Sequence, residues 1–144
     1  MAFLGFSEQG PLLIFYIIAV VAFTDIGAYF SGLTFGKHKF APAVSPKKTW
    51  EGFFGGVIAA GVMSYLVATY YGLLNMSVAH AVALSVVCAA ASALGDLAVS
   101  MLKRHAGVKD SSNLLPGHGG FLDRIDGMLA AMPMFAFGLL MVAK

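Results

Sequence analysis

Of 144 residues, 59% are hydrophobic and only 11% charged, where a soluble domain carries about 25% charged residues. The mean hydropathy of +0.83 excludes an ordinary water-soluble globule and makes a polytopic membrane protein the expected class. The net charge of +2 says less than its placement does, and no nucleic-acid partner is expected.

The first apolar segment covers residues 11–35 and contains Asp25, with Tyr29 one turn later. Its start, residues 9–24, has no charged lead-in and no small-residue cleavage site, so it reads as a span and not as a signal peptide. Asp25 needs a partner inside a membrane, for example a lysine of a neighbouring loop. Structural pairing and membership of a site are both open to it. The following loop, residues 36–51, holds Lys37, Lys39, Lys47 and Lys48. Within it Ser45 is suited to cap a helix that has Pro46 at its first position. Lys47 and Lys48 either anchor anionic head groups or bind polyphosphate. Trp50 is expected as an interfacial anchor.

From residue 52 to residue 95 no Asp, Glu, Lys or Arg occurs. That run is too long for one span, since about 20 residues cross the hydrocarbon core. It divides near residues 72–77, where Gly72, Asn75 and Ser77 make a polar turn and Ser77 can cap the next helix. The second span is then residues 53–74, and the third is residues 78–102 with Asp96 near its end. The lone Cys88 lies inside this third span and reads as a small core residue. The fourth span is residues 127–143, and its Pro133 removes one backbone donor, so a kink is expected there. The reading is an all-α fold: one integral-membrane domain over residues 1–144, with about four transmembrane helices and two charged cytoplasmic loops. Eight of the nine cations lie on those loops, which two spans separate, so both emerge on one side. The positive-inside rule makes that side cytoplasmic.

The chemistry concentrates in residues 96–126. Asp96, Ser100 and Lys103 are spaced i, i+4, i+7 and share a helix face. An acid two turns inside a span requires a cation, a proton or water beside it. It serves either a structural pair, with Lys103 or another helix, or a metal or substrate site. Asp123 and Asp126 open the fourth span at i, i+3. Acids at a helix N-terminus are favoured by the macrodipole alone. Three carboxylates converging from two helices would nevertheless repel unless a divalent cation neutralised them, and oxygen ligands of this kind suit Mg²⁺. The candidate metal ligands are therefore Asp96, Asp123 and Asp126. Between the helices, Pro116-Gly117-His118-Gly119-Gly120 is a turn whose glycines let backbone N–H groups approach a phosphate. His118 can donate to a phosphate oxygen or be an ordinary loop histidine. Lys103 and Arg104, with Lys47 and Lys48, are the candidate phosphate-holding cations.

These residues resemble the signature of the phosphatidate cytidylyltransferase (CDP-diacylglycerol synthase) family. Ser100, Lys103-Arg104, Lys109-Asp110, Ser112, Pro116, His118-Gly119-Gly120, Asp123-Arg124 and Asp126 fall in its register without a gap. Residues 25–29 and 45–52 are similar to the family as well, and the resemblance covers residues 11–143. It implies a bacterial inner-membrane enzyme of phospholipid synthesis that joins CTP to phosphatidic acid. The products are CDP-diacylglycerol and pyrophosphate, and the active site faces the cytoplasm. Asp96, Asp123 and Asp126 would surround the metal centre, with Ser100 and Lys103 at the same site. A second, monovalent metal ion (K⁺) is implied beside the Mg²⁺. The chain resembles the C-terminal half of longer family members, so a homo-oligomer is a further expectation. The rival readings are a CTP-dependent transferase or kinase acting on an isoprenoid lipid, and an inactive fragment or non-catalytic membrane subunit.

Overall fold

The computed structural model describes residues 10–71, 76–107 and 122–142, and of these the side chains of 122–125 and 142 are left aside. Four helices carry the fold: α1 (Gly10–Phe35), α2 (Trp50–Tyr71), α3 (Val78–His105) and α4 (Leu122–Val142). Between α1 and α2 lies a two-stranded antiparallel hairpin, β1 (Lys39–Ala41) and β2 (Ser45–Thr49). The helical architecture is the expected one. Helices α1, α2 and α3 are long and apolar enough to cross a membrane, and α4 contributes a shorter apolar stretch, Asp126–Met141. The apolar composition and these helices make the chain a membrane protein.

Small residues let the helices approach. A Cβ added at Gly56 of α2 would lie 2.6 Å from the Thr24 carbonyl oxygen of α1, so the two backbones nearly touch there. A Cβ at Gly95 of α3 would lie 2.5 Å from Ala130 Cβ of α4. Close packing of this kind replaces, in lipid, the hydrophobic drive that water supplies elsewhere. Between the helices Ile17, Val20, Met63, Cys88, Ala131 and Phe135 form part of one buried cluster, so Cys88 is the core residue expected. Within the same region Tyr16 Oη exchanges hydrogen bonds of 2.6 Å with both Ser64 Oγ and Ser85 Oγ, tying α1 to α2 and α3. Ser77 caps α3 as expected, its hydroxyl accepting from the His80 N–H. Helix α4 runs on through Pro133.

One local expectation is overturned. Ser45 does not cap a helix, and Pro46 is not a first helical residue: both lie on β2, where Ser45 pairs with Ala41. The helix starts five residues later, at Trp50, and Thr49 caps it by accepting from the Gly52 N–H at 3.1 Å. Pairing with β1 holds the Ser-Pro tract extended, a conformation proline tolerates at a sheet edge. The hairpin is fastened further by His38, whose backbone N–H and Nδ1 both meet the Glu51 carboxylate in the first turn of α2. Trp50 packs edge-on against Phe40 of β1, with centroids 4.3 Å apart, and remains partly exposed.

A candidate acid and lysine site at one end of the bundle

The end of the bundle that carries the hairpin also carries the C-terminal half of α3 and the start of α4. The capped junction between β2 and α2 fixes the backbone of Lys48 next to that end. From there Lys48 Nζ donates to Asp96 Oδ2 on α3. This pair brings the two charged segments of the sequence to one place, as their topology requires. Neither partner is fully withdrawn from the surface: the side chains are 30% and 36% exposed.

Asp96 meets a second acid. On α4 the Asp126 carboxyl lies within hydrogen-bonding reach of the Asp96 carboxyl and in the field of Lys103. One Asp126 oxygen also accepts from the Gly127 N–H at 2.8 Å. The close approach of α3 and α4 at Gly95 makes this meeting possible. A side chain there would push Ala130, one turn beyond Asp126, away from α3. Asp25 of α1 completes the group electrostatically, acting on both Asp96 and Lys48.

Asp25, Lys48 and Asp96 open on a cavity of about 560 Å³ between α1, the hairpin, α2 and α3, within the range of small-molecule sites. Asp25, Asp96, Lys39, Lys47 and Lys48 supply its charge, while Leu33, Phe40, Phe53 and Leu97 supply apolar wall. A cavity with both kinds of lining suits a molecule that is anionic at one end and greasy at the other.

The sequence candidates distribute as follows. Asp96, Ser100 and Lys103 are all partly buried and follow one face of α3. Arg104 is exposed in the last turn of that helix. Asp123 lies on the first turn of α4, but its side chain is outside the described residues, as are His118, Gly119 and Gly120. Asp96 pairs with Lys48 of the hairpin, a partner beyond the two that the sequence suggests for it, Lys103 and another helix. Lys39 and Thr49, which no sequence motif marks as site residues, both line the cavity. A threonine directly before the aromatic and acidic start of a helix was the available signal for the cap.

Among the described residues no three His, Cys, Asp or Glu side chains are grouped to hold a metal ion. The donor set that is present nevertheless fits Mg²⁺. Asp96 and Asp126 offer hard carboxylate oxygens from two neighbouring helices, the ligand type that Mg²⁺ takes.

The sequence of residues 1–142 matches the model of the cytidylyltransferase family. The chain belongs to that family. Among curated relatives it is 50% identical over 132 residues to the phosphatidate cytidylyltransferase of Pseudomonas aeruginosa, covering 90% of this chain and 49% of that protein. To the phosphatidate cytidylyltransferase of Haemophilus influenzae it is 48% identical over 132 residues, covering 90% of this chain and 46% of the relative. To that of Bacillus subtilis it is 44% identical over 134 residues, covering 91% and 48%. The chain thus spans about half the length of the curated relatives it matches.

Proposed function

We propose that this chain carries the catalytic site of a CTP:phosphatidate cytidylyltransferase. The observation that carries the reading is the group of Asp25, Lys48 and Asp96 on a mixed cavity, with Asp126 beside Asp96, in a chain of the cytidylyltransferase family. In the reaction an oxygen of the phosphatidic acid phosphate attacks the α-phosphorus of CTP. A new P–O bond forms, the bond between the α-phosphorus and the bridging oxygen breaks, and pyrophosphate leaves with that oxygen's electron pair. The nucleophile is already ionised near neutral pH, so no general base is required.

Both reactants are anions, and holding them together is the main task of the protein. Lys47, Lys48 and Lys39 face the cavity and supply positive charge for the phosphates. Lys103 stands on the Asp126 side of the site, and Arg104 with the His118-Gly119-Gly120 turn supplies further donors on the sequence reading. Leu33 and Phe53 form wall against which an acyl-bearing substrate can lie while its tails stay in lipid. Asp96 and Asp126, with Asp123 from the sequence motif, would hold Mg²⁺, and a second site among these acids would take K⁺. When bound, Mg²⁺ offsets charge on the phosphate oxygens as it builds up in transfer. The placement of lysine and arginine supports a cytoplasmic orientation for this face, and the bacterial relatives support an inner-membrane location.

The test is reconstitution of the chain in phosphatidic acid vesicles with CTP and Mg²⁺. Pyrophosphate release and a CDP-diacylglycerol mass in the lipid extract are expected. A product mass found only with an isoprenoid phosphate changes the lipid. No pyrophosphate under any condition overturns the catalytic reading and leaves a non-catalytic membrane subunit.

A further inference from the structure

Lys48 occupies an unusual place: it is a substrate-facing cation whose ammonium is held by an acid that the metal would also require. We propose that Lys48 is a positioning residue that neutralises Asp96 in the unloaded site and passes to nucleotide phosphate when the site fills. Metal and nucleotide therefore load together. This inference rests on the reading of Asp96 as a metal ligand.

Three observations carry it. First, the Lys48–Asp96 contact crosses from the hairpin to α3, and Asp96 is also the acid that meets Asp126. Lys48 thus engages the acid shared by the rest of the cluster. Second, the ammonium faces two acids from different helices, since Asp25 lies in its field as well. Third, the backbone of Lys48 is held fast. The next residue, Thr49, caps α2, and His38 clamps the hairpin to Glu51. Any transfer of the ammonium is consequently a side-chain swing inside the cavity, with the hairpin in place.

An ammonium and a divalent cation on one carboxylate repel each other, so each weakens the other's hold on Asp96. Metal arriving alone competes with Lys48 for Asp96 and leaves the ammonium only the field of Asp25. Metal arriving with a triphosphate gives the ammonium a new partner at once. By linkage, each of the two ligands then strengthens binding of the other by the same factor. The arrangement keeps Asp96 compensated between turnovers without committing a metal ion to an empty site.

The experiment measures Mn²⁺ binding by electron paramagnetic resonance on the purified chain in detergent without nucleotide, and CTP binding by equilibrium dialysis at fixed Mg²⁺. Lys48→Gln is expected to bind Mn²⁺ roughly tenfold more tightly than the unaltered chain and CTP roughly tenfold more weakly. Lys48→Met keeps the apolar stem and should behave alike, which covers a folding failure of the glutamine variant. Lys47→Gln removes the same charge from the same cavity and should raise Mn²⁺ affinity less than about threefold. Lys48→Arg keeps a cation at Asp96 and should retain the original Mn²⁺ affinity. Unchanged or weaker Mn²⁺ binding in both neutral Lys48 variants, or an equal rise in Lys47→Gln, overturns the proposal alone. Absence of Mn²⁺ binding in every protein overturns the metal reading of the site, and this inference with it.

Discussion

At the scale of single residues, Asp126 shows what the site depends on. Its carboxyl is held by the Gly127 N–H and directed toward Asp96. Asp126→Asn preserves the shape and removes the charge. Turnover of CTP to pyrophosphate should fall by at least about a hundredfold while the chain still inserts, since removing one charged group from phosphoryl chemistry costs on the order of 3–4 kcal/mol. Unaltered turnover in membranes containing equal amounts of protein would remove Asp126 from the site. The spacing of Asp123 and Asp126 at i, i+3 and the position of Asp96 in the third apolar segment are readable in the sequence, because a charge in lipid always needs an explanation. The partner of Asp96 was not legible. Lys48 is separated from it by 48 residues, and four lysines of one loop look alike until the hairpin fixes which of them reaches α3.

At the scale of elements, α1 and α2 are held together by absence of bulk. Gly56→Leu would drive a side chain into the Thr24 carbonyl and separate the two helices. A loss of about 1–3 kcal/mol is expected from overpacking, together with a disturbed cavity, read as a lower midpoint of thermal unfolding in detergent and weaker CTP binding. Gly61→Ala is the matching control, because a Cβ there meets only Val86, at 3.8 Å. That substitution should be neutral or slightly stabilising through helix propensity. The unfolding midpoints of the two variants, compared directly, check the argument. The helices were readable as apolar runs bounded by charge. The hairpin was not, because Ser45-Pro46 is locally a good helix start. Only pairing with β1, a contact between segments on opposite sides of a turn, holds it as a strand. Thr49 then inherits the cap.

For the whole molecule, the decisive arrangement is that α1 delivers the hairpin to the end at which α3 delivers Asp96. Ser77, at the start of α3, lies at the opposite end. With the site facing the cytoplasm, Lys37→Cys should react with a membrane-impermeant maleimide only after the inner face is opened. Ser77→Cys should react from outside intact spheroplasts. The native Cys88 is fully buried, so background labelling should be low. Reaction of both positions from the same side would overturn the topology. That both charged segments share one face followed from counting spans in the sequence. The cavity between them did not, because it depends on how far the hairpin leans over α3.

The hydroxyl cluster of Tyr16, Ser64 and Ser85 lies in the half of the bundle remote from these charges. Greasy cylinders in oil rotate about their long axes with little resistance, one azimuth being nearly as good as another. A tyrosine that satisfies two serines on two different neighbours permits a single azimuth for its own helix. Like a dowel at the back of a lock, it fixes the bearing from which Asp25, nine residues further along α1, faces the chamber at the front.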